Sequence, residues 1–331
     1  MQESSTGTAT PTAKLELRLE EHRTELTAHC YRMLGSAFEA EDAVQETMIR
    51  AWRSLERFEG RASLRSWLYR IATNVCLDML GGRQHRARPM DLGPAREPLE
   101  SNLSTLPEVT WIEPIPDALA VSADGDPADV VVGRETIRLA FVAALQQLPP
   151  RQRAVLLLCE VLRWKAVEVA ELLETSVASV NSALQRARAT LEATDVRPQE
   201  TPSVDKADAA LLARYVNAFE RYDMDALTSL IHEDATQSMP PYDLWLRGRD
   251  DILGWWVGPG AGCRGSRVLP TSAANGAPAF GQYKPSPTGE GYEPWALQVL
   301  EVDDGRIVEL NFFLATDRVF PLFGLPSRLE S

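Results

Sequence analysis

The chain has 331 residues, 44% of them hydrophobic, which is enough to build two or three domains with separate cores. Its strongly apolar runs are shorter than the roughly 20 residues of a membrane-spanning helix, and its first residues lack the pattern of a secretory signal. We therefore expect a multidomain cytoplasmic protein with no membrane partner.

The net charge of −13 is distributed unevenly along the chain. Residues 91–135 carry 2 basic and 10 acidic side chains, and residues 205–331 carry 11 and 18. Residues 1–90 and 136–204 are each within one charge of neutrality. These two segments are therefore free to form local basic patches for an anionic partner.

The cysteines and histidines are scattered and lack the spacing of a metal-ligand set. We expect buried or idle thiols, no metal or redox site and no cofactor. The four cysteines are Cys30, Cys76, Cys159 and Cys263.

Residues 15–90 have the hydrophobic spacing of an all-α domain. One apolar stripe includes Val44 and Met48, and another includes Leu68. An acidic, proline-rich stretch over residues 91–129 then predicts a linker.

Residues 130–196 predict a second all-α domain. One helix is expected over residues 130–148, and two prolines stop it and open the next helix at Arg151. A polar linker at residues 197–207 precedes residues 208–331, where helices give way to β-type runs and predict an α+β domain.

Residues 167–191 predict two helices joined by a tight turn, as in a DNA-binding helix-turn-helix. Ser176 is a natural N-cap for the second helix, whose apolar stripe includes Val177 and Val180. Glu174 stands at a turn position where such motifs often carry Gly, and a positive φ there would cost about 1 kcal/mol. An ordinary helical hairpin has the same amphipathic pattern and is the alternative.

The outward side chains of the second helix are short and polar, which suits contact with base edges, and arginines beside them suit phosphates. The residues expected to contact DNA are Ser176, Ala178, Ser179, Asn181, Ser182, Gln185, Arg186 and Arg188.

Two stretches resemble one known family. EAEDAVQETMIRAWRSLERFEGRASLRSWLYRIATNVCLDMLGGRQHR is similar to region 2 of bacterial sigma-70 family sigma factors of the extracytoplasmic-function type. LQQLPPRQRAVLLLCEVLRWKAVEVAELLETSVASVNSALQRARATL is similar to region 4, in the family's order and separation. The resemblance implies that region 4 binds the −35 promoter element and that region 2 binds the −10 element and RNA polymerase.

The resemblance also implies docking on the clamp helices of the large subunit of core RNA polymerase, and on its flap. Helical spacing agrees, because a polar face lies opposite the buried Val44. A merely solvated charged face is the alternative. The residues expected to bind polymerase are Asp42, Gln45, Glu46, Ile49, Trp52 and Arg53.

The next segment resembles the element that opens and reads the −10 region. FEGRAS is a loop suited to hold a flipped base, and the following helix should expose Tyr69 and Arg70 opposite its apolar stripe, as single-stranded DNA requires. A basic cluster at residues 83–88 suits the duplex backbone. Packing of Tyr69 and Trp67 inside the domain is the alternative. The expected −10 residues are Arg61, Arg65, Ser66, Tyr69, Arg70, Thr73, Arg83 and Arg86.

The C-terminal third resembles a SnoaL-like domain, the α+β cone of nuclear transport factor 2 and ketosteroid isomerases. DALTSLIHEDATQSMPP, RGRDDILGWW and VDDGRIVELNFFL carry this resemblance. It implies an apolar pocket that could take a small ligand, although the same aromatics could simply form a core. The candidate lining residues are Met239, Tyr242, Trp245, Trp255, Trp256, Tyr283 and Trp295.

Enzymes of this fold use an Asp or His base. His232, Asp234 and Asp243 lie in the corresponding stretch, but the segment HEDA at the end of a helix is equally a capping turn. No convincing catalytic set results, so we expect a protein that is not an enzyme.

Together these features predict a sigma factor whose C-terminal domain modulates its activity within the same chain, in a direction that the sequence leaves open. Trp111 begins WIEPIP, which is similar to a segment that some such factors carry between regions 2 and 4 without matching it. One alternative is a DNA-binding half fused to an isomerase, cyclase or hydrolase. Another is a repressor that works without polymerase.

Overall fold

The computed structural model describes residues 18–55, 58, 63–83, 85–122, 126–193 and 206–330, without the side chains of residues 206–208. Two helical units and a C-terminal domain with one mixed sheet make up these residues. No helix among them is long and apolar enough to cross a membrane.

The first helical unit is a bundle of three helices. Gly35, with φ of 72°, ends the first helix, and the Ser36 hydroxyl caps the second by accepting a hydrogen bond from the Glu39 amide at 3.2 Å. Val44 and Leu68 are fully buried between them, as the apolar stripes predict. The helices are α1 (Arg23–Leu34), α2 (Ala37–Ser54) and α3 (Leu64–Met79).

Residues 85–122, called here the linker segment, pack between the other parts of the chain. Residues 111–117 are all buried, and the Tyr31 hydroxyl donates to the Glu113 carbonyl at 2.9 Å. The segment is therefore part of the core rather than a free tether. Its short elements are α4 (Pro89–Leu92), two 3-10 turns (Glu100–Asn102 and Glu108–Thr110) and α5 (Asp117–Ala120).

The second helical unit begins with two helices where one was predicted over residues 130–148. The first ends at Glu135, because Ile137 inserts into the core and Arg138 is extended. Thr136 supports this break by donating to the Val132 carbonyl at 2.8 Å. The helices are α6 (Pro127–Glu135), α7 (Leu139–Gln146), α8 (Pro150–Leu156, continued by a π-helical turn, Leu157–Val161), α9 (Ala166–Leu172) and α10 (Val177–Ala193).

The C-terminal domain is α+β, as predicted. Its six strands follow the order β2-β1-β6-β5-β4-β3, and only β1 and β6 pair in parallel. The elements are α11 (Lys206–Arg221), α12 (Met224–Leu230), β1 (Ile231–Ser238), β2 (Trp245–Arg247), α13 (Arg249–Val257), a 3-10 turn (Pro259–Cys263), β3 (Arg267–Pro270), β4 (Ala279–Pro285), β5 (Tyr292–Asp303), β6 (Arg306–Phe313) and α14 (Thr316–Leu322).

The two faces of the sheet bury different partners. Leu300 and Phe312 pack on the inner face against α11, α12 and α13. Leu297 and Phe313, on the outer face, belong to a core that continues through Ile115 of the linker segment into both helical units. The alternation of side chains along a strand thus places the domain's own core on one side and the helical units on the other.

Candidate nucleic-acid and polymerase interfaces

Helices α9 and α10 form a helix-turn-helix. The Ser176 hydroxyl caps α10 by accepting a hydrogen bond from the Ser179 amide at 3.2 Å, and Val169 and Val180 are fully buried between the helices. Glu174 has φ of 51°, so the turn does hold a residue other than Gly in the left-handed region.

The outward face of α10 is open to solvent. All the side chains expected to contact −35 DNA are exposed, and of these Arg188 forms an ion pair with Glu160. Val177 was expected in the buried stripe, but it is 41% exposed because it stands in the first turn, beyond the reach of α9. The exposed set is Ser176, Ala178, Ser179, Asn181, Ser182, Gln185, Arg186 and Arg188.

The predicted −10 face of α3 is partly covered. Ser66 and Arg65 are half-buried and Arg70 is exposed, but Tyr69 is only 1% exposed and Thr73 is fully buried. The expectation that both would face solvent is wrong. Arg61 and most of the FEGRAS loop lie outside the described residues.

Two sets of contacts bury these side chains. The Tyr69 hydroxyl donates to the Glu25 carboxylate at 3.2 Å, and its ring meets the Trp164 ring edge-on at 5.6 Å between centroids. Thr73 bonds to His29 Nε2 at 3.0 Å. Burial, and secondarily the Glu25 charge, raises the pKa of the Tyr69 hydroxyl above its usual range.

The arginines of the basic cluster after α3 also differ in exposure. Arg83 is exposed and pairs with Glu39 at 2.6 Å, whereas Arg86 is buried, 3.0 Å from the same carboxylate. Arg86 also donates to the Trp111 carbonyl at 2.6 Å. The expectation that Arg86 would meet DNA is therefore wrong for this arrangement, because the linker segment covers it.

The predicted polymerase-binding residues share one open face of α2. Trp52 is 58% exposed and Ile49 is 43% exposed, beside the carboxylates of Asp42 and Glu46. Gln45 and Arg53 are exposed on the same helix. Large apolar side chains on an otherwise charged surface are typical of a protein-binding site.

The two helical units touch at the sides that are predicted to face DNA. Arg70 Nη2 lies 2.5 Å from Glu174 Oε1, which joins α3 to the turn of the helix-turn-helix. Trp164, in the loop before α9, is the residue that covers Tyr69. The sequence pattern gave no signal for this contact, because its partners are 104 residues apart.

One buried residue of the C-terminal domain contacts three other parts of the chain. Asn275 is fully buried with φ of 55°, and its Nδ2 donates to the Tyr31 hydroxyl and to the Ile137 carbonyl, both at 2.6 Å. Its Oδ1 accepts from the Ile115 amide at 3.0 Å. The pair Asn275-Gly276 signals a turn in the sequence, but not this role.

A cluster of charges joins the outer face of the sheet to the helical units. Glu301 and Glu309 are cross-strand partners on β5 and β6. Arg138, before α7, forms an ion pair with Glu301, and Arg88 of the linker segment lies 3.9 Å from Glu309. Burial, partly offset by Arg138, raises the pKa of Glu301 to about 7.

The C-terminal domain contains a narrow apolar cavity on the inner face of the sheet. Of the predicted lining residues, Met239, Trp255, Trp256 and Trp295 line it. Tyr242, Trp245 and Tyr283 do not. The Trp245 indole donates to the Gly93 carbonyl at 2.8 Å and Tyr283 donates to the Pro326 carbonyl at 2.9 Å, away from the cavity, and Tyr242 bridges to the linker segment.

The three catalytic candidates do not converge. His232 and Asp234 lie on strand β1 rather than on a capping turn, and His232 Nδ1 accepts the Asp234 amide at 3.1 Å. Asp243 is 2.8 Å from Arg96, and none of the three lines the cavity. Across the described ranges, no group of His, Cys, Asp and Glu could hold a metal ion.

Comparison with known proteins agrees with this geometry. Sequence models match for sigma-70 region 2 at residues 19–86, for sigma-70 region 4 at residues 138–191 and for a SnoaL-like domain at residues 212–310. The ECF RNA polymerase sigma factor SigG of Mycobacterium tuberculosis (strain H37Rv) is 47% identical over 317 residues, covering 94% of this chain and 83% of SigG.

A second relative supports the whole domain order. The ECF RNA polymerase sigma factor SigJ of M. tuberculosis (strain H37Rv) is 29% identical over 302 residues, covering 87% of this chain and 88% of SigJ. The crystal structure of SigJ superposes with a TM-score of 0.60 at 23% identity, covering 95% of this chain and 99% of the SigJ chain. That superposition shows the same fold.

Proposed function

The chain belongs to the ECF RNA polymerase sigma factors, and from that premise we propose that the described arrangement is a closed form, which must open before both promoter elements can be read. The protein directs promoter-specific transcription initiation, with core RNA polymerase and promoter DNA as its partners in the cytoplasm. The C-terminal domain modulates this activity by stabilising the closed form.

The contact between Arg70 and Glu174 carries this proposal. Arg70, which is expected to read the −10 element, lies there 2.5 Å from Glu174, in the turn of the helix-turn-helix that is expected to read the −35 element. The two elements are separated by about 25 base pairs, or about 85 Å at roughly 3.4 Å per pair. One chain cannot keep this contact while bound to both elements of a duplex promoter.

The C-terminal domain supplies the contacts that hold the two units together. Asn275 bonds to α1, to the linker segment and to the residue before Arg138, and the Arg138–Glu301 ion pair lies nearby on the sheet. Each buried hydrogen bond is worth about 0.5–1.5 kcal/mol, so their sum favours closure substantially.

The exposure of each surface indicates which partner it can meet in the closed form. In the closed form α10 can meet −35 DNA and the Trp52 face of α2 can dock on the clamp helices of the polymerase large subunit, while region 4 also meets the flap. The covered −10 face becomes available on opening. The chain acts by binding DNA and polymerase, and the cavity of the C-terminal domain takes a small apolar ligand.

Asn275→Gly tests the proposal in the intact chain. Gly accepts the positive φ and deletes all carboxamide hydrogen bonds, so we expect it to favour opening. Reconstituted transcription with core polymerase should rise at least about tenfold, as expected from the loss of two or three buried hydrogen bonds.

Asp304→Gly is the matched control, because Asp304 also has positive φ, 45°, but lies in the exposed β5–β6 turn. Equal transcription from the two variants would contradict modulation by closure. Absence of any promoter-specific transcript from every form of the chain would contradict the sigma-factor function itself.

A further inference from the structure

The cavity of the C-terminal domain has an aromatic lining and an open mouth. The cavity is narrow, about 30 Å³ within that open mouth, and Phe219, Trp255, Trp256 and Phe312 contribute rings to its wall. An apolar, aromatic lining of this kind suits the flat ring of one small, uncharged molecule.

One polar side chain in the wall has an unused donor. Gln237 is 1% exposed, and its Oε1 accepts a hydrogen bond from the Trp256 indole at 2.8 Å. An indole N–H only donates, so the amide orientation is determined and Nε2 points elsewhere. Within the described part of the chain Nε2 has no acceptor, which leaves it for a ligand carbonyl.

A thiol in the wall of the same cavity has an amine beside it. Cys263 lines the cavity and is half-buried, and the Lys284 side chain lies close to this thiol. Lys284 Nζ also lies 3.1 Å above the centroid of the Trp295 ring. Burial lowers the pKa of Lys284, so this ammonium releases its proton more readily than an exposed one.

The other cysteines differ from Cys263 in their surroundings. Cys30 and Cys76 are fully buried in the first helical unit. Cys159 is half-buried in the second unit, where burial raises the pKa of its thiol, and it lines no part of the cavity. Cys159 is therefore an internal reference for Cys263.

We propose that Cys263 is a modification site for small aromatic α,β-unsaturated carbonyl compounds, held with their ring in the cavity and their carbonyl oxygen on Gln237 Nε2. This proposal rests on the ligand-binding role proposed above for the cavity, but not on the sigma-factor function.

The reaction is a conjugate addition that needs no oxidant or further reactant. A bond forms between Cys263 Sγ and the β-carbon of the ligand, while the C=C π pair moves toward the carbonyl as an enolate. The Gln237 amide and the Lys284 ammonium stabilise that developing negative charge. The thiol proton ends on the α-carbon, so the product contains the whole ligand and nothing leaves.

Benzylideneacetone and its saturated analogue 4-phenylbutan-2-one are matched probes for the full-length protein. Peptide mass spectrometry should find one intact benzylideneacetone on Cys263, formed at least about tenfold faster than on Cys159, and none in Cys263→Ser. The saturated ketone should bind without adding and slow the reaction. Equal rates at Cys263 and Cys159, or no protection by the saturated ketone, would overturn the proposal.

Three variants separate recognition from thiol reactivity. Gln237→Leu should slow benzylideneacetone addition about three- to tenfold, the range of one hydrogen bond, while leaving iodoacetamide alkylation of Cys263 unchanged. Met239→Trp should fill the cavity, and should therefore slow benzylideneacetone addition without changing iodoacetamide alkylation of Cys263. This variant keeps the test valid if Gln237→Leu unfolds because Trp256 loses its hydrogen-bond partner. Lys284→Gln should slow both reagents.

The outcomes also distinguish the two proposals for the cavity. Saturable binding of 4-phenylbutan-2-one without any adduct from benzylideneacetone would overturn modification of Cys263 and leave the ligand-binding role standing. Failure of both compounds to bind, measured by tryptophan fluorescence, would overturn both.

Discussion

Helices α3 and α10 were predicted in the same way, from an apolar stripe and a polar face opposite, yet they have different surroundings. Every predicted DNA-contacting side chain of α10 is exposed, whereas Tyr69 and Thr73 of α3 are buried. This difference shows that hydrophobic periodicity predicts which face of a helix lies opposite its apolar stripe. It does not reveal what another part of the chain places on that face.

Trp164 and Glu25 explain why α3 is covered. Trp164 belongs to the second helical unit and Glu25 to α1 of the first, so residues of both units bury Tyr69. No other segment among the described residues covers the outward face of helix α10. The proposed closed form therefore leaves the predicted −35 face exposed and covers part of the predicted −10 face.

The largest expected effect is on polymerase docking, which is the step that we expect to drive opening. Trp52→Ala should weaken binding to core polymerase by about 2–4 kcal/mol, because exposed tryptophans at interface centres commonly contribute this much. Trp295→Ala, another exposed tryptophan, is the control and should bind as the unmodified chain does. Equal dissociation constants for both variants would mean that α2 is not the docking helix.

Changes on the open face of α10 should affect DNA binding without affecting closure. Gln185→Ala should alter the preferred −35 sequence, and Arg186→Ala should weaken binding to all sequences, by about 1–3 kcal/mol each. Selection from a random duplex pool measures both. If Ser182 and Gln185 can both be changed with no shift in preference, the reading face is elsewhere on the helix.

Closure should weaken as the pH rises through neutrality. Glu301 has a pKa of about 7 when buried, above the ordinary value of 4.5 that opening would restore. A raised pKa stabilises the closed form at low pH, and this stabilisation is lost as the pH rises through 7. The closed-to-open ratio should therefore fall about tenfold between pH 6 and 8.

Hydrogen exchange of the α3 amides reports this opening. The charged groups that face Glu301 are Glu309, Arg138 and Arg88. Glu301→Gln should abolish most of the dependence on pH. Retention of the full dependence in that variant would assign it to another group.

The smallest expected effect concerns the contact between Arg70 and Glu174. Glu174→Gly removes the partner of Arg70 and relieves the positive φ, whereas Glu174→Gln removes the charge and keeps the strain. Because the ion pair is exposed, both should raise binding of random single-stranded DNA by at most a few-fold, in line with roughly 0–1 kcal/mol for such pairs. Only Glu174→Gly should also raise the melting temperature, by relieving strain.

The sequence predicted the structural features that depend on residues close together in the chain. The Ser176 cap and the helix-turn-helix both depend on residues within a few positions of one another. The exposed face of α2, which is predicted to bind polymerase, also followed from helical spacing. The single helix over residues 130–148 was wrong because Ile137 belongs to a core shared with distant segments.

The amino-acid sequence by itself determined the domain order, the family and the surface of α10, because these depend on motifs and on short-range periodicity. Only the tertiary structure decided that the linker segment is buried, that Asn275 joins three parts of the chain and that Tyr69 is covered. Each of these contacts joins residues far apart in sequence. Hydrogen-bonding and apolar groups of this kind are common, and packing alone selects which of them meet.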